Sequence, residues 1–139
     1  MPARMDHVVL WVDDPLRSVE FYEKVVGLPG VRTEAFRAGN APFPSVRVAE
    51  DAIIDLMARA AAPIIDAMIG VAGTAGHSVN HVCLAMTRAE VEALRQRLAE
   101  NGVSVSKTMV NSFGARGLAA EAFYFLDPDN NVIEARYYE

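Results

Sequence analysis

Two short, mostly apolar runs are each headed by a polar residue and a histidine: Asp6-His7-Val8-Val9-Leu10-Trp11-Val12 and Asn80-His81-Val82-Cys83-Leu84-Ala85-Met86. Both read as strands. An amphipathic stretch follows each, ending at Val26 in the first case and Glu100 in the second. For the first helix, Asp14 is the expected N-cap with Pro15 at the first helical position, and Leu16, Val19, Tyr22 and Val26 recur with helical spacing before Gly27. Glu20 and Lys24 form an exposed i,i+4 pair on it. For the second, Thr87 and Glu90 make a capping box, Val91, Leu94 and Leu98 form the buried stripe, and Asn101-Gly102 ends it. Short β-like segments then follow, at 32–36, 45–49 and 52–58 in the first half and at 104–110, 122–126 and 131–138 in the second. The run Leu126-Asp127-Pro128-Asp129-Asn130-Asn131-Val132 carries a hairpin turn signal.

Order, spacing and type agree between the halves: Gly27 lies 20 residues after His7, and Gly102 lies 21 after His81. The expectation is an α+β chain of two βαβββ modules, about 4–59 and 79–139. The connector between them, about 60–78, is rich in Ala and Gly and contains Pro63 and His77. Within it, 64–69 is expected to form a short helix that packs over something, and His77 reads as a connector residue.

Strand parity selects the candidate chemistry. Side chains alternate faces, so His7, Val9 and Trp11 share one face while Val8, Leu10 and Val12 share the other, where they suit packing on the helix. His81, Cys83 and Ala85 likewise oppose Val82, Leu84 and Met86. Near the module ends, Ile53, Asp55 and Met57 share a face, as do Val132, Glu134 and Arg136. Each module thus offers one histidine and one carboxylate, the carboxylate following by 48 residues in the first and 53 in the second. A charge in an apolar strand needs a partner. A divalent cation would supply one, and two imidazoles with one or two carboxylates suit Fe, Mn, Co, Ni or Zn. The alternative is structural, with packed histidines and with Asp55 or Glu134 paired to Arg47, Arg59 or Arg136. Trp11, Met57 and Tyr124 are either cavity lining or ordinary core, and Cys83 reads as a small wall residue.

Composition narrows the partners. A net charge of −5 and the absence of a basic cluster argue against nucleic acid. No run approaches the roughly 18–20 apolar residues of a membrane span. The first residues lack an apolar signal core, and the lone Cys83 rules out Cys-rich metal sites, so a cytoplasmic setting is expected. Phosphate-loop, nucleophile-elbow and HExxH motifs are missing.

The 6–12 segment, the run Asp14-Pro15-Leu16-Arg17-Ser18-Val19-Glu20-Phe21-Tyr22 with Gly27-Leu28, and Phe123-Tyr124-Phe125-Leu126-Asp127-Pro128-Asp129 through Ile133-Glu134 resemble the vicinal oxygen chelate superfamily (glyoxalase, bleomycin-resistance and extradiol dioxygenase proteins) over almost the whole chain. The resemblance implies paired modules forming a curved mixed sheet around a central cavity, often in a homodimer. It implies a divalent ion (Ni, Zn, Co, Mn or Fe) on His7, His81 and Glu134. The fourth family position falls on Asp55, one methylene shorter than the usual Glu, and Asn130 replaces the usual turn Gly. The activity first implied is that of a glyoxalase I-like lyase or isomerase acting on a small oxygen-chelating molecule through an enediolate, with Glu134 as the catalytic proton shuttle. Arg116 in that case holds an anionic substrate group, and Trp11 and Tyr124 line the substrate site. An Fe(II) extradiol-type dioxygenase is the alternative. Tyr124, ten residues before Glu134, resembles a tyrosine of those enzymes, but no histidine follows His81. A drug-binding resistance protein without catalysis is the third, against which the retained ligands argue.

Overall fold

The computed structural model describes residues 2–76, 79–126 and 132–139; His77 and the segment 127–131, where a turn was expected, lie outside the described residues. In chain order the elements are β1 (Arg4–Val12), α1 (Pro15–Phe21) with a π-helical turn (Tyr22–Val26), β2 (Gly30–Val31), α2 (Thr33–Arg37), β3 (Ser45–Ala49) and β4 (Ala52–Ala58). There follow α3 (Ala62–Ile69), β5 (Val79–Ala85), α4 (Arg88–Glu100), β6 (Ser112–Gly114), β7 (Gly117–Ala119), β8 (Glu121–Leu126) and β9 (Val132–Tyr137). Seven strands make an open mixed sheet of order β2-β3-β4-β1-β5-β9-β8, and β6 and β7 make a separate antiparallel ribbon. The class is α+β. No helix among the described residues is long and apolar enough to cross a membrane.

Local chemistry sets the helix ends. The Asp14 carboxylate accepts from the backbone N–H of Leu16 and Arg17, and Gly27 closes the helical stretch at φ 87°. Thr87 and Glu90 exchange the two bonds of a capping box.

Contacts divide the chain into two compact units, 8–80 and 1–7 with 81–139, so that β1 contributes to both. In the unit 8–80, Val12 packs with Val19, Val46 and Leu56, as its parity requires. On the other face, Val9, Trp11 and Met57 are covered by Phe43 and by Ala62 and Ile65 of α3, the short helix expected in the connector. In the second unit, Val91 and Leu98 of α4 pack on Phe123, Ala135 and Tyr137. Leu94 is partly buried beside them.

Two expectations are corrected, and one pair of strands is new. The 32–36 segment is not a strand: after Arg32, which adopts a left-handed φ of 60°, the chain enters α2. Five residues are too few for period 2 and period 3.6 to be told apart. The 104–110 segment is not a regular strand and meets β8 through two isolated bridges, Val105 with Phe125 and Met109 with Ala122. The β6–β7 ribbon was not expected, because strands of three residues leave no periodicity to read.

Candidate metal centre

The unit formed by 1–7 and 81–139 brings three of the expected ligands together. His7 comes from the start of β1, His81 from β5 and Glu134 from β9, where the parallel register sets Cys83 opposite Glu134. Imidazole nitrogens Nε2 of His7 and His81 lie 3.2 Å apart, and Glu134 Oε2 lies 3.2 Å from the first and 2.9 Å from the second. All three residues are buried.

These separations test the fit of a divalent ion. Donors about 2.1 Å from one ion stand about 3.0 Å apart when at right angles, and about 3.4 Å apart in a tetrahedron. The separations observed, 2.9 to 3.2 Å, are within about 0.1 Å of that range, with two imidazoles and a carboxylate as the donor set. His7, His81 and Glu134 therefore fit such an ion.

Neighbouring groups hold the donors. His7 Nδ1 donates to Asp6 Oδ1 at 2.7 Å, and Arg136 Nη2 donates to Glu134 Oε1 at 2.5 Å. Burial by itself would lower the His7 pKa, but its contacts with Asp6, Cys83 and Glu134 raise it above the ordinary imidazole value. Burial would raise Glu134; hydrogen bonds from the two imidazoles and the Arg136 charge instead hold it well below the usual carboxylate range. Burial, reinforced by the Glu134 charge, pushes the Cys83 thiol up to about 12, so it stays a protonated wall residue.

The remaining candidates are placed differently. Tyr124, opposite Glu134 in the β8–β9 register, sets its ring edge-on to His81 at 5.2 Å between centroids. Arg116 is exposed in the β6–β7 turn, its guanidinium over the Tyr138 ring at 4.4 Å. Asp55 is in neither group of converging metal-capable side chains among the described residues; its carboxylate accepts from Ser45 Oγ at 2.5 Å across the β3–β4 register. The Arg32 charge also acts on Asp55. Trp11 is a core residue, with its indole N–H donating to the Thr74 carbonyl at 3.2 Å. Asp6 and Tyr138 belong to the site without having been singled out. The one signal for Asp6 is a carboxylate next to a histidine at the head of an apolar strand.

The profile of the Glyoxalase/Bleomycin resistance protein/Dioxygenase superfamily matches residues 4–135, and the chain belongs to that superfamily. Among solved structures it is similar to methylmalonyl-CoA epimerase from Mycobacterium tuberculosis (20% identity, 97% of this chain and 87% of that one, TM-score 0.65). It is also similar to Streptomyces coelicolor methylmalonyl-CoA epimerase in complex with 2-nitronate-propionyl-CoA (17%, 99% and 95%, TM-score 0.66). A third is the 2,3-dioxygenase LapB from Pseudomonas sp. KL28 (14%, 99% and 42%, TM-score 0.67). At these identities the likeness is one of fold.

Proposed function

We propose that the chain is a divalent-metal-dependent lyase or isomerase of glyoxalase I type, acting on a small molecule that presents two adjacent oxygens. We also propose that its modules, 4–59 and 79–139, are two copies of one unit and that it works as a homodimer. The observation that carries the reading is the convergence of His7, His81 and Glu134 within hydrogen-bond distance of one another. A bound ion would act there as a Lewis acid and stabilise the negative charge of an enediolate.

The chain's own groups do the rest. His7 and His81 would hold the ion through Nε2, and Glu134 presents Oε2 beside them. Glu134 is ionised, as the acceptor of a proton from a carbon next to a substrate carbonyl must be, and it would return that proton to the neighbouring carbon. An ion that drew the two imidazoles away from it would raise its basicity toward that task. Tyr124 walls the site beside His81, and Cys83 fills space without competing as a nucleophile. The test is hydrogen–deuterium exchange at the α-carbon of hemithioacetals and 2-hydroxy ketones, using protein loaded with Ni, Zn, Co or Mn. Full metal occupancy with no exchange on any of them would overturn the reading.

One observation favours a second reading. Arg136 holds Glu134 Oε1 at 2.5 Å, and a carboxylate so fixed suits a permanent ligand better than a mobile base. Two histidines and one carboxylate are also a donor set that would suit the iron of an Fe(II) dioxygenase. Oxygen uptake with catechols after anaerobic iron loading would select this reading, and its absence would remove it.

A further inference from the structure

We propose that Asp6 is a positioning residue for the candidate metal centre, turning His7 so that Nε2 faces His81 and Glu134, and that the β6–β7 ribbon and Tyr138 hold Asp6 in place. The inference rests on the reading of His7, His81 and Glu134 as metal ligands.

His7 Nδ1 lies 2.7 Å from Asp6 Oδ1. An ionised carboxylate only accepts, so the proton sits on Nδ1 and Nε2 is the nitrogen left for an ion. The ring can then neither flip nor change tautomer without losing a buried charge-assisted bond. Asp6 has no more freedom than the ring. It is 1% exposed, Oδ1 also accepts from the Ala115 N–H at 3.0 Å, and Oδ2 accepts from the Tyr138 hydroxyl at 2.5 Å.

The ribbon approaches closely because residue 114 is glycine. A Cβ there would lie 2.7 Å from Asp6 Oδ1 and 2.6 Å from the Tyr138 hydroxyl, and would collide with Arg136 Nη1. The same ribbon reaches the other ligand: the Ser112 carbonyl accepts from Arg136 Nη1 at 3.1 Å, and Arg136 in turn holds Glu134. One three-residue strand with its turn therefore orients two of the three donors, His7 through Asp6 and Glu134 through Arg136. Asp6 heads an apolar strand, where a buried carboxylate otherwise costs stability. Its three donors explain why it is tolerated there, and the ring it holds gives it a use.

The test uses Co(II) as the probe on the full chain, comparing wild type with Asp6→Ala, Asp6→Asn and Tyr138→Phe. Affinity is measured by competition with a chromophoric chelator, coordination by the Co(II) d–d absorption, and folding by circular dichroism. Asp6→Ala is expected to weaken Co(II) binding by about 10–100-fold and to shift the d–d band. Asp6→Asn keeps an oxygen for His7 Nδ1 and the Ala115 N–H, and is expected to restore most of both. Tyr138→Phe removes one bond to Asp6 and is expected to cost about threefold. A folded Asp6→Ala protein with wild-type affinity and spectrum overturns the proposal, and so does an Asp6→Asn protein as impaired as Asp6→Ala. Should Asp6→Ala fail to fold, Tyr138→Phe decides: the loss supports the proposal and unchanged binding overturns it. Wild-type protein that binds no Co(II) would instead sink the metal reading itself, a separable result.

Discussion

Glu134 carries two obligations at once, and they fall on different oxygens. Oε2 meets both imidazoles while Oε1 meets Arg136. Removing one member of a fully buried ion pair leaves the other charge stranded, which costs about 3–5 kcal/mol. Arg136→Met should therefore lower the melting temperature markedly, whereas an exposed Arg such as Arg17 changed to Met should not. Thermal denaturation followed by circular dichroism makes that comparison. Glu134→Gln keeps the volume and an oxygen for Arg136 but gives up the charge. The protein is therefore expected to lose stoichiometric Co(II) or Zn(II), as read by equilibrium dialysis, and to melt at a lower temperature for the same reason as Arg136→Met. Glu134 and the two histidines were legible from the chain alone, because a carboxylate or an imidazole stands out in an apolar strand of known parity. Arg136 was visible only as one of several possible partners, since choosing among Arg47, Arg59 and Arg136 needs tertiary distances. Asp6 was hidden for a different reason: next to His7 on β1, it belongs by parity to the opposite face, yet its carboxylate reaches the imidazole.

Elements whose boundaries are written in neighbouring residues were readable, and those set by distant residues were not. Both long helices announce themselves through Asp14-Pro15 and through Thr87 with Glu90, bonds that close within three residues. Thr87→Ala should cost about 1 kcal/mol with no change in metal affinity, because α4 packs on Phe123 and Ala135 rather than on the ligands. Chemical denaturation with a parallel metal titration checks both halves of that statement. The 32–36 segment is β-branched and aromatic enough to pass for a strand, but the turn at Arg32 starts a helix. The β6–β7 ribbon is the opposite case, since its purpose lies entirely in what it touches. Gly114 is where that contact is tightest, and Gly114→Ala is expected to destabilise the fold and weaken metal binding together. A Gly114→Ala protein of wild-type stability and affinity would mean the ribbon yields easily.

Across the whole molecule, the buried charges link stability to pH in a way that a bound ion should reverse. Without metal, His7 has a folded pKa raised above its ordinary 6.5, so its contribution is fully present below about 6.5 and is lost as pH rises toward the folded value. Glu134 is lowered well below its ordinary 4.5, so its contribution is present above about 4.5 and is lost as pH falls toward its folded value. Chelator-treated protein is therefore expected to be most stable between about pH 4.5 and 6.5 and to soften on the alkaline side. An ion needs His7 neutral at Nε2, and competes there with a proton that the site otherwise retains. The melting-temperature increase on adding Zn(II) or Co(II) should consequently grow from pH 6 to pH 8, while the melting temperature of the chelated protein falls over the same interval. A stabilisation by metal that is flat across this range would mean that His7 gives up no proton on binding, and the ligand set would have to be redrawn without it.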